Sequence, residues 1–129
     1  GCDIPAANTK AGGKPVPDEH IHEHGTCFNV KDRGLVVISS CGHSGIVNTV
    51  RQAMEVSGVT KVHAALGGFH LFPATEDYLR QTVAEIKKLD PDVIIPMHCS
   101  GPGLLALLRT EVADRVITSA TGTEFVFGA

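Results

Sequence analysis

The sequence lacks two features that would tie the chain to a membrane. None of its apolar runs approaches the ~20 residues needed to span a bilayer. Its start has no charged stretch followed by an apolar stretch and a small-residue cleavage site. We therefore predict a cytoplasmic protein with no membrane partner.

Excess charge of either sign is also missing. The 129 residues carry a formal net charge of −3, and the one dense basic pair is Lys87-Lys88. A nucleic-acid partner would call for a basic surface, so none is predicted. The four cysteines follow no dense spacing pattern, which favours a reducing compartment, although Cys41 and Cys99 could oxidise if their two turns meet.

The length and the 43% content of hydrophobic residues predict one globular unit. Residues 1–19 are rich in Gly and Pro and poor in large apolar residues, which predicts an irregular arm or linker. The globular unit is then 20–129. The chain begins Gly-Cys rather than with Met, as expected of a processed product or a fragment.

Apolar periodicity predicts the elements of this unit. Strands 26–30 and 35–40 read as a hairpin, with Cys27 as a small core residue in the first strand. Helices and strands then alternate, giving the order β-β-α-β-α-β-α-β-β, with the last two strands at 116–117 and 124–127. This order predicts an α/β (α+β) fold with a mixed sheet and helices mainly on one face. We expect the other face to meet a second half-domain or another subunit.

Three predicted strands end in turns that carry histidine. The turns are Cys41-Gly42-His43-Ser44-Gly45, Gly67-Gly68-Phe69-His70 and Pro96-Met97-His98-Cys99-Ser100-Gly101. Parallel strands would bring these turns to one edge of the sheet, where α/β proteins bind ligands. The sequence therefore predicts a site containing His43, His70 and His98, with Cys41 and Cys99 beside them.

Histidines fixed by rigid elements can hold a divalent metal, most plausibly zinc, with manganese or iron as alternatives. Such a metal lowers the pKa of bound water towards ~7 and supplies a hydroxide that can attack an ester, phosphodiester or amide. Two plainer interpretations stay open. The histidines could only bond local backbone groups, and Cys41 could support its turn rather than ligate.

A second histidine group lies at residues 18–24, where His20, His22 and His24 alternate. On an extended strand these rings would point to one side, so His22 and His24 are possible additional ligands. The alternative is a polar, half-exposed strand edge.

Three segments resemble the C-terminal half of the metallo-β-lactamase superfamily, in its 7,8-dihydropterin-6-yl-methyl-4-(β-D-ribofuranosyl)aminobenzene-5′-phosphate synthase-like branch. They are Gly34-Leu35-Val36-Val37-Ile38-Ser39-Ser40-Cys41-Gly42-His43-Ser44-Gly45-Ile46-Val47-Asn48-Thr49-Val50, Leu66-Gly67-Gly68-Phe69-His70-Leu71 and Pro96-Met97-His98-Cys99-Ser100-Gly101. The resemblance covers about residues 18–128. It implies one half of an αββα sandwich, with a one- or two-metal site in the cleft between the halves.

The resemblance also implies roles for individual residues. His98 is similar to the superfamily's last metal-ligand histidine, and Cys41 or His43 stands where a bridging aspartate usually follows a strand. His70 matches a histidine of this branch and would be a ligand or a catalytic contact on the oxyanion side. His22 or His24 would take the middle histidine position.

The superfamily's H-x-H-x-D-H motif, which belongs to the N-terminal half, does not occur in this sequence. Either that half is a separate segment, or the chain is a stand-alone half-domain. The first case predicts a metal-dependent hydrolase of a small-molecule substrate that needs the N-terminal half to be complete. The second predicts a non-catalytic metal-binding or assembly module that forms a homo-oligomer through its uncovered sheet face.

Overall fold

A computed structural model describes residues 8–11, 14–17 and 22–128. Strands β1 (Asn8–Ala11) and β2 (Lys14–Pro17) pair antiparallel in a small sheet of their own. Part of the arm that we expected to be irregular is therefore a hairpin. The proposed boundary near residue 20 stays a prediction, and His20 lies outside the described residues.

The main sheet has four strands in the order β3-β4-β5-β6. The hairpin of β3 and β4 is antiparallel as predicted, whereas β4, β5 and β6 run parallel. These strands are β3 (Gly25–Val30), β4 (Gly34–Ser39), β5 (Val62–Gly68) and β6 (Val93–Met97). The sheet is mixed, and the predicted α+β class is confirmed.

Helices connect the parallel strands and continue beyond the last one. They are α1 (Ile46–Ser57), α2 (Glu76–Leu89) and α3 (Pro102–Glu111), with short 3-10 turns at His98–Ser100 and Ala113–Arg115. The Thr75 side chain caps α2 by accepting a hydrogen bond from the Tyr78 backbone N–H. Glu76 and Asp77 in its first turn suit the positive end of the helix dipole.

The sheet separates two apolar clusters. The larger cluster lies between the sheet and the helices and includes Leu35, Val37, Val50, Phe69, Ile94, Leu104 and Leu108. The smaller one lies on the opposite face and consists of Val36, Ala64, Leu66 and Ile95, with Phe125 and Phe127 packed against it. The helices lie on one face, as predicted, and on the other face the C-terminal segment covers the smaller cluster while Ile38 stays exposed.

That segment corrects one prediction. Residues 124–127 were expected to be a closing strand, but 117–128 contain no regular secondary structure, and Val116 forms only an isolated bridge with Ile94. Phe125 and Phe127 instead pack across the sheet face. Apolar side chains at two-residue spacing serve either arrangement, so the pattern could not distinguish a strand from a covering segment.

The exposure of strand β3 contradicts a second prediction, that Cys27 is a core residue. Its residues from Gly25 to Asn29 are exposed, and Cys27 among them is not a core residue. β3 lies at the edge of the four-stranded sheet and pairs on one side only, which leaves these residues in contact with solvent. Among the described residues, no helix is both long enough and apolar enough to cross a membrane.

Candidate metal centre

The register of the parallel strands brings the three histidine turns together. Ser39 at the end of β4 lies opposite Gly67, and Gly68 at the end of β5 lies opposite Met97. The next residues of each strand therefore leave the sheet at the same edge. The sequence prediction that these turns meet is confirmed.

Two cysteines form the centre of this edge. The sulfur atoms of Cys41 and Cys99 lie 3.3 Å apart, and the Cys99 thiol also donates to the Cys41 carbonyl oxygen at 3.3 Å. The Cys99 sulfur accepts from the His70 backbone N–H at 3.2 Å. Both cysteines are partly buried.

Backbone bonds fix the β5 and β6 turns to each other. The Cys99 carbonyl oxygen accepts from the N–H groups of Leu71 and Phe72, each at 3.0 Å. The buried Ser100 hydroxyl accepts from the Phe69 N–H and donates to the Gly67 carbonyl oxygen. These bonds hold the turn of His70 against the turn of His98.

His43 and His70 contact each other beside Cys41. Their ring centroids are 4.2 Å apart in an edge-to-face arrangement, and His70 Nδ1 is 3.5 Å from the Cys41 sulfur. His70 has a backbone φ of 47°, a left-handed value that is uncommon for a residue other than glycine. Local strain of this kind is retained where the surroundings hold a side chain in one position.

His98 lies in the 3-10 turn after β6 and groups with Cys41 and Cys99. Its φ of 21° is also positive, and its ring packs over the backbone of Gly68. A Cβ atom on Gly68 would lie 2.3 Å from His98 Cε1, closer than any van der Waals contact. A glycine at the end of β5 is therefore required for His98 to reach the site.

Glu23 is a site residue that the sequence analysis missed. Its carboxylate accepts from the backbone N–H groups of Cys41, Gly42 and His43 at 3.2–3.4 Å and lies 3.3 Å from His43 Nδ1. The pairing register of the β3-β4 hairpin could have revealed Glu23 as a site residue. Gly25 pairs with Ser39, so continuing the same register by two residues places Glu23 opposite Cys41.

The electrostatics of Glu23 follow from these contacts. Burial works to raise the pKa of its carboxyl, but the three backbone N–H donors and His43 outweigh burial and lower the pKa. The side chain is only 8% exposed. Glu23 is thus a buried carboxylate that orients the turn carrying Cys41 and His43.

The pKa of the Cys41 thiol shifts in the opposite direction, upwards. Burial, the Cys99 thiol and the Glu23 carboxylate together raise the pKa of Cys41 to about 11. Cys41 is therefore a thiol at neutral pH, and ligation of a metal would release its proton.

The two remaining histidine predictions lie apart from this cluster. His22 and His24 are exposed, and neither is in a strand. His24 Nδ1 lies 3.4 Å from the His22 carbonyl oxygen. Among the described residues, the groups of ligand atoms that could hold an ion include neither of them.

The donor set fits a divalent metal. One group of ligand atoms comes from Cys41, His43 and His70 and another from Cys41, His98 and Cys99, each group lying within 4.8 Å. A sulfur and a nitrogen on one tetrahedral zinc lie about 3.6 Å apart and two sulfurs about 3.8 Å apart, given the usual bond lengths. The 3.5 Å from the Cys41 sulfur to His70 Nδ1 matches the first value. The 3.3 Å between the Cys41 and Cys99 sulfurs is shorter than the second, so the two would have to separate by about 0.5 Å to share one ion.

The architecture matches a solved structure, Tm1679, which is described as a metal-dependent hydrolase of the beta-lactamase superfamily. The TM-score is 0.85 at 24% sequence identity, over 93% of this chain and 46% of that one. The chain carries one half of the metallo-β-lactamase fold. The resemblance predicted from the three histidine segments is confirmed at the level of the fold.

Curated relatives agree with this half-domain assignment. A 7,8-dihydropterin-6-methyl-4-(beta-D-ribofuranosyl)-aminobenzene-5'-phosphate synthase of Methanocaldococcus jannaschii is 38% identical over 89 residues, which is 69% of this chain and 30% of that protein. The uncharacterized protein MJ0448 of the same organism is 39% identical over 66 residues, 51% of this chain and 24% of that protein. The predicted similarity to this branch is confirmed. No family model matches the chain.

The chain spans less than a third of the length of the curated relatives that it matches. It also spans less than half of the solved structure. The comparisons therefore support the fold, while the solved structure is described as a metal-dependent hydrolase and one curated relative is named as a synthase.

Proposed function

We propose that this half-domain supplies ligands to the metal centre of a metallo-β-lactamase-like enzyme, with zinc as the metal and hydrolysis of a small-molecule ester, phosphodiester or amide as the reaction. The observation that carries the proposal is the convergence of Cys41, His43, His70, His98 and Cys99 at one sheet edge. Nitrogen and thiolate donors in this number suit zinc better than the harder manganese ion.

Each residue has a distinct part in this proposal. His43 and His98 are the histidine ligands and Cys41 is the shared sulfur ligand. His70 is either a third nitrogen ligand or the group that hydrogen-bonds the substrate oxygen as it becomes negative. Glu23 is a positioning residue, because its carboxylate holds the backbone of the turn that presents Cys41 and His43. A divalent metal, when bound, would make water nucleophilic at neutral pH.

A groove beside His98 supports a small-molecule substrate. Its volume is about 740 Å³, and its lining includes Phe72, Met97, His98, Leu105 and Thr121. The exposed Phe72 ring offers an apolar surface close to the histidine. We propose this groove as the substrate side of the centre.

A synthase reaction is the second candidate, because the relative that is 38% identical is named as a synthase. The same centre could activate a substrate group for bond formation instead of activating water. The two candidates share the ligand set and differ in the product.

We further propose that a second half of the fold completes the site, since the chain matches only 46% of the solved structure. Ile38 is a partly exposed apolar residue on the sheet face away from the helices, where such a half would pack. The alternative is a non-catalytic module in which a second copy of the chain occupies that face.

Metal content tests the ligand set. We expect purified wild-type chain incubated with zinc and desalted to retain the metal in elemental mass spectrometry, and His98→Ala and His43→Ala to lose most of it. His63→Ala is the matched control, because His63 is a partly buried histidine that bonds Asp92 away from the site. Equal zinc in all four proteins, or none in a folded wild type, would overturn the proposed centre.

Activity and assembly are measured with and without the N-terminal half. We expect a zinc-loaded complex of the two halves to hydrolyse phosphodiester or ester reporters and the chain alone to be inactive. Bond formation between a pterin and an aminobenzene ribofuranoside substrate, with no hydrolysis, would favour the synthase. A stable homodimer that excludes the N-terminal half would favour the assembly module.

A further inference from the structure

The Cys41–Cys99 contact has a second chemical capacity besides ligation. The two sulfurs lie 3.3 Å apart although the residues are 58 positions apart in the chain. A disulfide holds its sulfurs at about 2.05 Å, so the approach still needed is about 1.3 Å. Rotation of the side chains can supply a movement of this size without rearranging the sheet.

The surroundings hold both thiols in this arrangement. The Cys99 sulfur contacts the Cys41 carbonyl oxygen and the His70 N–H, while Glu23 fixes the Cys41 backbone. Both cysteine residues are half-buried rather than sealed in the core, which leaves the pair within reach of a small oxidant. A second cysteine at contact distance can resolve the first oxidation product of its neighbour as an intramolecular disulfide.

We propose that Cys41 and Cys99 form a reversible intramolecular disulfide, and that this disulfide removes Cys41 from the metal centre. The oxidant is a low-molecular-weight disulfide such as oxidised glutathione. One cysteine attacks it, forming a mixed disulfide and releasing one thiol. The second cysteine then attacks the mixed disulfide, forming the Cys41–Cys99 bond and releasing the second thiol.

The net reaction exchanges two electrons and two protons between the cysteine pair and glutathione disulfide. Two cysteine thiols are oxidised by two electrons, the glutathione disulfide is reduced by the same two, and the two cysteine protons pass to the two released thiols. Since Cys41 belongs to both groups of ligand atoms, a sulfur bonded to Cys99 is no longer available as a thiolate. The competition with metal rests on the proposed function, whereas disulfide formation does not.

The test for the disulfide is peptide mapping of the full chain, metal-free and folded, after exposure to glutathione buffers of increasing oxidised fraction. Free thiols are alkylated and the protein is digested with trypsin. The expected product joins peptide 34–51 to peptide 89–109, which contain Cys41 and Cys99, and dithiothreitol reverses it. The same link should form in a Cys2→Ser/Cys27→Ser variant.

Two matched variants test whether the link depends on the contact between Cys41 and Cys99 or only on the presence of a reactive thiol. In the Cys2→Ser/Cys27→Ser background, Cys41→Ser and Cys99→Ser should each add at most one glutathione and form no internal disulfide. In wild type, the exposed Cys27 should react with glutathione as an ordinary thiol. The disulfide is overturned if wild type keeps both thiols free under fully oxidising conditions, or carries glutathione on each without the link. Wild-type mapping decides this even if a variant fails to fold.

Zinc uptake tests the competition. Reduced wild type should retain zinc and the disulfide form should lose at least tenfold in zinc affinity. Unchanged affinity after complete cross-linking overturns the competition. If reduced protein takes up no zinc at all, the proposed function fails, and the disulfide is judged by the peptide map alone.

Discussion

Glu23 shows how one buried side chain organises the turn between β4 and α1. Three consecutive backbone N–H groups donate to its carboxylate. A loop that must present Cys41 and His43 has no neighbouring strand to satisfy these donors, and a charged acceptor satisfies them more strongly than a neutral one.

We expect Glu23→Gln to lower the free energy of unfolding by about 1–3 kcal/mol, because a neutral amide replaces a carboxylate in three charge-assisted bonds. Zinc affinity should fall with it while the sheet is retained. Urea unfolding and zinc titration measure both effects. Glu55→Gln, on the exposed side of α1, is the control, and equal behaviour of the two variants would contradict a positioning role for Glu23.

Gly68→Ala tests the close approach of His98 to β5. The added Cβ would lie 2.3 Å from the His98 ring and 2.8 Å from the Ser40 carbonyl oxygen. We expect at least a tenfold loss of zinc affinity, with a circular dichroism spectrum like that of wild type. Gly103→Ala is the control, since its Cβ meets only the end of the flexible Leu79 side chain at 3.2 Å. An unchanged affinity in Gly68→Ala would place His98 outside the ligand set.

We predict that Asp92, which lies away from the metal centre, makes the free energy of unfolding depend on pH. Hydrogen bonds from Lys61 and then His63 lower the pKa of its carboxyl from 3.8. A lowered pKa contributes stability above the unfolded value, and this contribution is lost as the pH falls through the folded value. The carboxylate is 41% exposed, so the effect is below about 1 kcal/mol. Urea unfolding should separate Asp92→Asn from wild type at pH 7 and much less at pH 3. Asp32→Asn, in an exposed turn, should show no such difference.

At the scale of single residues, the sequence indicates which residues belong to the site better than it indicates the contacts that they make. Histidine and cysteine at strand ends indicated His43, His70, His98 and Cys41 because their chemistry is uncommon in turns. Glu23 was not found, since a carboxylate near a strand is common and only the hairpin register distinguishes it.

Among the secondary structure elements, α2 is the one whose limits follow most directly from sequence. Thr75 caps its first turn, and Asp90 ends it with a φ of 52°. We expect Thr75→Ala to lower the free energy of unfolding by about 1 kcal/mol through loss of the bond to the Tyr78 N–H. Urea unfolding measures this. Thr60→Ala, in an exposed loop, should change the stability by far less.

The three helices and strands β4, β5 and β6 were predictable because each has one buried stripe or a run of β-branched residues between turn residues. The exposed strand β3 was predictable from its connection to β4 through a glycine-containing turn. The C-terminal segment was not, since Phe125 and Phe127 pack on a face rather than along an edge. Local periodicity reports which residues are buried. It does not report which partner buries them.

At the scale of the whole molecule, the segment containing Phe125 and Phe127 covers the second apolar cluster. We expect the double variant Phe125→Ser/Phe127→Ser to expose Val36, Ala64, Leu66 and Ile95. Binding of a hydrophobic dye should rise, and the mass in solution should shift towards oligomers. Val126→Ser is the control, because Val126 is 84% exposed. A monomer with unchanged dye binding would show that the segment does not protect this face.

The parallel order of β4, β5 and β6 also governs when the site can form. Cys41 is 29 positions from His70 and 58 from Cys99, so the contact with His70 needs one closed crossover and the contact with Cys99 needs two. Parallel pairing over such separations makes folding slow, because loop closure precedes the contacts that reward it. Before β6 docks, the chain can offer a metal ion only the partial group of Cys41, His43 and His70. We expect zinc to slow unfolding much more than it speeds refolding, since His98 and Cys99 join the site only after β6 has docked.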